Sequence, residues 1–162
     1  PLWSRGLGDV YKRQALAGVE DDYDVILIDC APSLDQLTIN GLVAAQGVIV
    51  VTHSKLWSAN GLAQLLDTID SVRSYYNGAL RVAGIIVNQH EENTISGKTW
   101  LDELHQAAES RKLTVLDPPI PKRVVIADTV EAARGLDEWG SAEAAALGQL
   151  YAHHLTCIEG AL

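Results

Sequence analysis

Short, unbroken apolar stretches that each end in a polar residue constrain this chain more than any other feature. Val25-Ile26-Leu27-Ile28 ends at Asp29, Val48-Ile49-Val50-Val51 ends at Thr52 and His53, and residues 82–87 end at Asn88. A strand solvated on one face alternates apolar and polar residues. A continuous apolar run is what a strand presents when both faces of a parallel sheet are covered. Strands are therefore expected over residues 23–29, 46–52 and 82–87. A shorter fourth is expected at Leu113-Thr114-Val115-Leu116, closed by Asp117-Pro118-Pro119.

Helical patterns fill the intervals. Residues 34–45 follow Pro32-Ser33, with Ser33 placed to cap the first turn. Residues 58–76 carry Leu62, Leu65, Leu66, Ile69 and Val72 at spacings of three and four, an amphipathic stripe. Residues 100–110 show Leu101, Leu104 and Ala108 on one face, and residues 141–154 form an Ala- and Leu-rich stretch opening at Ser141. Strands alternating with helices of this length imply βαβ units with right-handed crossovers. The expected fold class is α/β, a mostly parallel doubly wound sheet flanked by helices, with no internal repeat or linker.

The 162 residues amount to about one domain. Twelve Lys and Arg against 21 Asp and Glu leave a net charge of -9, which excludes a surface coated in basic charge for nucleic acid but not a local basic patch. Cys30 and Cys157 are too few and too far apart for a disulfide framework or a cysteine zinc site. Cytosolic residence is the simplest expectation. No apolar run approaches the roughly 18 residues of a membrane span, and neither a signal peptide nor a lipidation motif is visible. The five histidines, His53, His90, His105, His153 and His154, are scattered in sequence.

The first residues differ in character from the rest of the chain. Asp9-Val10-Tyr11-Lys12-Arg13-Gln14 is what GAT GTG TAT AAG AGA CAG encodes, and this resembles a transposon end used in preparing sequencing libraries. Ser4 to Gly8 extends the match in the same frame. Residues 1–14 are accordingly expected to be non-native, and residues 15–162 to be the part from which function is read. The chain contains no Met, which fits a truncated reading frame.

Ligands of open α/β sheets gather at the carboxyl ends of strands, where Asp29, His53 with Ser54, and Asn88 are expected. The string Ile28-Asp29-Cys30-Ala31-Pro32-Ser33 after an aliphatic run resembles the Walker B and switch region of ParA-type partition ATPases, deviant P-loop ATPases related to MinD. Residues 37–42 resemble the helix after that switch, and Val50-Val51-Thr52 with residues 56–62 resemble the next strand and its loop-helix junction. Gly84 to Gln89 resembles the strand whose terminal Asn faces adenine. Ile120-Pro121-Lys122-Arg123-Val124, with Asp128 and Glu131 beyond, resembles the late loop against the base and its following helix. Gly135 to Gly140 falls where the family carries its last loop.

The resemblance implies ATP and Mg as cofactors. Asp29 would hold magnesium through water beside the phosphates. Pro32 would restrict the switch, Asn88 would read an adenine edge by donating and accepting at once, and Pro121 would pack on the base. A homodimer in the ATP state, non-specific DNA and a centromere-binding ParB-like partner are also implied, in the bacterial cytoplasm at the nucleoid. Arg111, Lys112, Lys122 and Arg123 are the candidate DNA contacts. On the residues alone, Asn88 could equally end a strand in a local turn, and the basic pairs could be solvated surface.

One family feature is missing. No G-x-x-x-x-G-K-[ST] string occurs, so the phosphate-cradling loop and its lysine are absent from this sequence. Gly97-Lys98-Thr99 lacks the upstream glycine and is expected to start a helix. Three rival functions are weighed against partition. A MinD-like division-site ATPase wants a basic amphipathic tail, yet residues 151–162 contain no Lys or Arg. An iron–sulfur reductase needs clustered cysteines. A non-catalytic interaction protein would have lost its nucleotide site.

Overall fold

The computed structural model describes Leu16, Gly18, Val19, Ser33 and residues 21–31, 35–53 and 58–162. Residues 1–14, Pro32 and Ser54, all singled out above, lie outside the described residues. The elements are α1 (Gln36–Ala44), β1 (Gly47–His53), α2 (Ser58–Tyr75), β2 (Arg81–Asn88), α3 (Ile95–Ser110), β3 (Val115–Leu116), α4 (Val124–Glu131) and α5 (Ala142–Ala161). They divide into two compact units, Pro1–Val48 with Ala63–Arg81, and Ile49–Leu62 with Val82–Leu162.

In the first unit, Leu66, Ile69 and Val72 of α2 are buried, as the stripe predicts, together with Leu42 and Val43 of α1 and Leu80. The cap of α1 differs from expectation. Asp35, not Ser33, is the N-cap, its carboxylate accepting from the backbone N–H of Leu37 at 2.9 Å and of Thr38 at 3.2 Å. Ser33 instead donates its hydroxyl to Asp35 at 2.9 Å. A carboxylate outcompetes a hydroxyl here because it accepts two N–H groups at once and its charge faces the positive end of the helix dipole. The other end of α1 is closed from a distance. Asn77, buried after α2, donates its side-chain amide toward the carbonyls of Leu42, Val43 and Ala45 at 3.2, 3.2 and 2.8 Å.

The expected first strand does not form. Residues 23–30 take no regular secondary structure, and Tyr23, Val25, Ile26, Leu27 and Ile28 are exposed. A strand is stabilised only when a neighbour satisfies its N–H and C=O groups. The apolar pattern specifies burial without specifying a partner.

In the second unit the sheet order is β1-β2-β3, with β2 in the centre. β2 and β3 are parallel, pairing Ile85 with Val115 and Ile86 with Leu116. Helix α3 makes the connection between them, as a parallel pair requires. It begins at Ile95, a turn and a half before the periodic residues, because Thr94 caps it by accepting from Gly97 N–H at 3.1 Å. A Cβ at Gly97 would sit 2.7 Å from the Thr94 hydroxyl and 2.8 Å from the Glu91 carbonyl. Gly97 thus serves a tight cap, and Gly97-Lys98-Thr99 is a helix start. One core cluster joins Ala83 and Leu116 to Ile158 of α5, with Ile49, Ile86 and Cys157 against it. A second joins Val125 to Ala144 and Leu147, flanked by Leu136 and Trp139. Helix α5, capped by Ser141, continues past the expected end at His154 to Ala161.

Candidate functional site

Asp29, the acidic residue singled out from sequence, belongs to the first unit. Asp29 is exposed and makes no hydrogen bond or ion pair with the described residues. The stretch after it is held by Thr38, whose hydroxyl donates to the carbonyls of Ser33 at 2.7 Å and Ala31 at 3.3 Å. Gly41 lets the same stretch lie close to α1, since a Cβ there would come within 2.8 Å of Cys30 Sγ. A free carboxylate on a tethered segment is a suitable outer ligand for a hydrated magnesium ion. Thr38 is a tether that sequence reasoning placed on the helix but gave no role.

The second unit carries the part expected to meet a base. The β2–β3 pairing continues beyond both strands. Ile120 N–H donates to the Val87 carbonyl at 2.8 Å, His90 N–H to Ile120 at 2.9 Å, and Lys122 N–H to His90 at 3.0 Å. A parallel bridge joins His90 to Pro121. This ladder brings Asn88, at the end of β2, and Pro121 to one sheet edge, both half-buried. The Asn88 side-chain oxygen accepts from Gln89 N–H at 2.8 Å, and Gln89 has φ 53°. The local turn is therefore present, and it does not use up the side chain: the oxygen shapes the turn and keeps a second lone pair, while the amide NH2 retains its donors.

Two further residues hold this edge, and neither was assigned a role from sequence. His90 is 4% exposed, with Nδ1 unpartnered. His154 of α5, 2% exposed, faces the Pro118 carbonyl with Nε2 at 3.0 Å, which makes Nε2–H the donor and ties α5 to the segment leading to Pro121. Burial pushes the His154 imidazole below the usual histidine range. Neighbouring His153 acts in the same direction, against the opposing Pro118 carbonyl and Asp117. Histidines scattered in sequence gave no signal of either placement.

The basic pairs are not one patch. Lys122 pairs with Glu91 at 3.2 Å, and Arg123 with Glu92 at 3.6 Å and Glu143 at 3.3 Å, so three carboxylates surround two cations. Arg111 and Lys112 lie where α3 ends and before β3 begins, at the opposite end of β3 from Pro121. Among the described residues no group of three or more His, Cys, Asp or Glu side chains is arranged to hold a metal, and no helix is long and apolar enough to cross a membrane. Trp139 packs in the second unit's core and lies 5.7 Å from the Arg134 guanidinium.

Comparison with known proteins gives the same direction. An AAA domain family matches residues 8–82. An uncharacterized protein of Mycobacterium tuberculosis is 36% identical over 83% of this chain and 41% of its own length. The chromosome-partitioning ATPase Soj of Treponema pallidum is 42% identical over 53% of this chain and 34% of its own. The chain thus spans less than half the length of these relatives. Among solved structures, cobyrinic acid a,c-diamide synthase from Mycobacterium smegmatis matches 87% of this chain and 50% of its own with a TM-score of 0.67 and 31% identity. The same protein with bound ATP analog and magnesium matches 72% of this chain and 45% of its own with a TM-score of 0.64 and 35% identity. The expected α/β fold, a parallel sheet with flanking helices of the P-loop ATPase kind, is the one found, and the chain belongs to the ParA-type family of P-loop ATPases.

Proposed function

We propose that this chain acts as part of a partition ATPase that moves plasmid or chromosomal DNA in the bacterial cytoplasm. The observation that supports this best is the ladder from Val87 to Lys122, which brings Asn88 and Pro121 to the same end of the sheet, with Pro121 bridged to His90. ATP with magnesium, when bound, supplies a phosphoanhydride whose hydrolysis resets the protein. Asn88 donates and accepts at the adenine edge, and Pro121 offers an apolar surface without an N–H. Asp29 orients the water shell of the metal, and Thr38 holds the segment that carries it. Pro32 limits the conformations of that segment.

In the complete cycle two subunits join in the ATP state, the dimer holds DNA without sequence preference, and a ParB-like centromere-binding partner triggers hydrolysis and release. Arg111, Lys112, Lys122 and Arg123 are the candidate DNA contacts, and Lys122 and Arg123 would have to exchange their facing carboxylates for phosphates. A second reading, a cobyrinic acid diamide synthase, has the structural likeness behind it. It gives no role to the sequence similarity with partitioning ATPases.

The test uses this chain and a version extended upstream by a G-K-[ST] phosphate loop. The sequence of the chain has no G-x-x-x-x-G-K-[ST] string to cradle the phosphates, so a fluorescent ATP analogue is expected to show no saturable, magnesium-dependent binding. The extended chain binds and hydrolyses ATP. Asp29→Ala then lowers hydrolysis roughly a hundredfold or more, and Asn88→Ala weakens nucleotide binding about tenfold. Tight binding by the chain alone, or full activity in Asp29→Ala, defeats the proposal. Turnover of a cobyrinic acid substrate would favour the second reading.

A further inference from the structure

His153 and Cys157 lie four residues apart on α5 and therefore on one face of it. Cys157 Sγ is 3.8 Å from His153 Nε2. Neither side chain makes another hydrogen bond or ion pair among the described residues. Cys157 is half-buried and packs against the Ala83, Leu116 and Ile158 cluster, which fixes its position. His153 is exposed. One residue on, the bond from His154 to the Pro118 carbonyl pins the same helix to its neighbouring segment, so this face cannot rotate away.

The separation matches a metal chelate. Tetrahedral zinc, with Zn–S about 2.3 Å and Zn–N about 2.05 Å, places these two donor atoms about 3.6 Å apart. The observed spacing needs an adjustment of only a few tenths of an ångström. The donor chemistry selects the ion. A thiolate with an imidazole suits zinc, cobalt and copper, whereas magnesium and calcium demand oxygen ligands. This place is separate from the proposed magnesium ligand Asp29 in chain position, in residue type and in the metal it takes.

We propose that His153 and Cys157 form a two-donor chelate for a soft divalent cation, zinc being the natural one, with water completing the tetrahedron. On binding, the Cys157 thiol gives its proton to solvent and the sulfur coordinates as thiolate. His153 coordinates through the Nε2 lone pair and keeps its proton on Nδ1. One proton is released per ion bound. The helix supplies both arms in register, so the second bond forms at high effective concentration.

The experiment uses the full 162-residue chain carrying Cys30→Ser, which removes the other thiol, and cobalt(II) as the probe. Thiolate-to-cobalt charge transfer absorbs in the near ultraviolet and reports Cys157 directly. The expected result is a saturable band at one cobalt per chain, displaced by zinc, with one proton released. His153→Ala, at an exposed position that leaves the fold intact, weakens binding about tenfold or more through loss of one arm of the chelate. Cys157→Ser abolishes the band. The absence of a thiolate band at excess cobalt in the Cys30→Ser chain overturns the proposal. So does a band whose midpoint is unchanged by His153→Ala, because the sulfur would then be acting alone.

Discussion

Two apolar runs of similar composition meet opposite fates in this molecule. Val25 to Ile28 lies exposed and unpaired, with Leu27 at 76% exposure, whereas β2 sits in the centre of its sheet with Val87 at 0%. Their aliphatic content does not separate them. β2 has β1 on one side and β3 on the other, and its ladder runs on through His90 to Lys122. Residues 25–28 have no such neighbours among the described residues. Burial of a strand is a property of the pair of flanking strands as much as of its own side chains, because backbone N–H and C=O groups must be satisfied before apolar faces can be covered.

The sharpest way to break this comparison is to place the same charge in both runs. Val87→Asp buries a carboxylate with no partner at the centre of the sheet, and the second unit is expected to lose more than about 4 kcal/mol, enough to unfold it. Leu27→Asp, already in solvent, is expected to change stability by no more than about 0.5 kcal/mol. Thermal denaturation followed by near-ultraviolet circular dichroism measures both. Equal losses would mean that residues 25–28 are as buried as β2.

The exposed run should also betray itself in solution. Unpaired, flat and apolar, it is a template for association with another chain. The chain is expected to self-associate despite its net charge of -9. Replacing Val25 and Leu27 together by Lys should move most of the material to the monomer position in size-exclusion chromatography with light scattering. A parent chain that is already a sharp monomer shows that other segments cover the run.

Legibility in the sequence divides along the same line. The positions of β1, β2, α2 and α5, the helix start at Gly97, and the placing of Asn88 at a strand end were all visible, because each rests on local periodicity or on a cap. The invisible features depend on residues far apart in the chain or on a contest between neighbours. The cap passed from Ser33 to Asp35 because two nearby side chains compete for the same N–H groups and geometry decides. The carboxylates around Lys122 and Arg123 come from residues 91, 92 and 143, a grouping that only the folded unit creates. Asn77 stands in a Tyr-Tyr-Asn-Gly stretch that reads as an ordinary turn, yet its side chain closes α1 more than thirty residues away.

Asn77 and Asn88 sharpen the point, since one is structural and the other belongs to the proposed binding edge. Asn77→Ala leaves the carbonyls of Leu42, Val43 and Ala45 without that donor in a buried place, and is expected to cost about 1–3 kcal/mol. Asn88→Ala loses one local acceptor beside a half-exposed turn and is expected to cost less than about 1 kcal/mol. Urea denaturation of the two variants gives the difference directly. A reversed order would place the structural asparagine at the strand end.

The smallest effect expected is a pH dependence carried by His154. Its ring is buried beside His153, Asp117 and the Pro118 carbonyl, and burial holds its pKa below the value near 6.5 of an unfolded chain. The unfolded state therefore binds a proton at a higher pH than the folded state does. The stability associated with a neutral His154 is complete above about pH 6.5 and is lost as pH falls through that value toward the lower folded pKa. His154→Gln keeps an N–H at the place of Nε2, where it can reach the Pro118 carbonyl, but removes the titration. Its stability at pH 8 should be lower, because an imidazole ring is lost from a packed site. Between pH 6.5 and 5, however, its stability should decline less steeply than the parent's. Melting temperatures of the two chains across that window decide the matter. Parallel curves would show that the buried ring is not the group being protonated, and that the acid sensitivity of the second unit lies in its carboxylates instead.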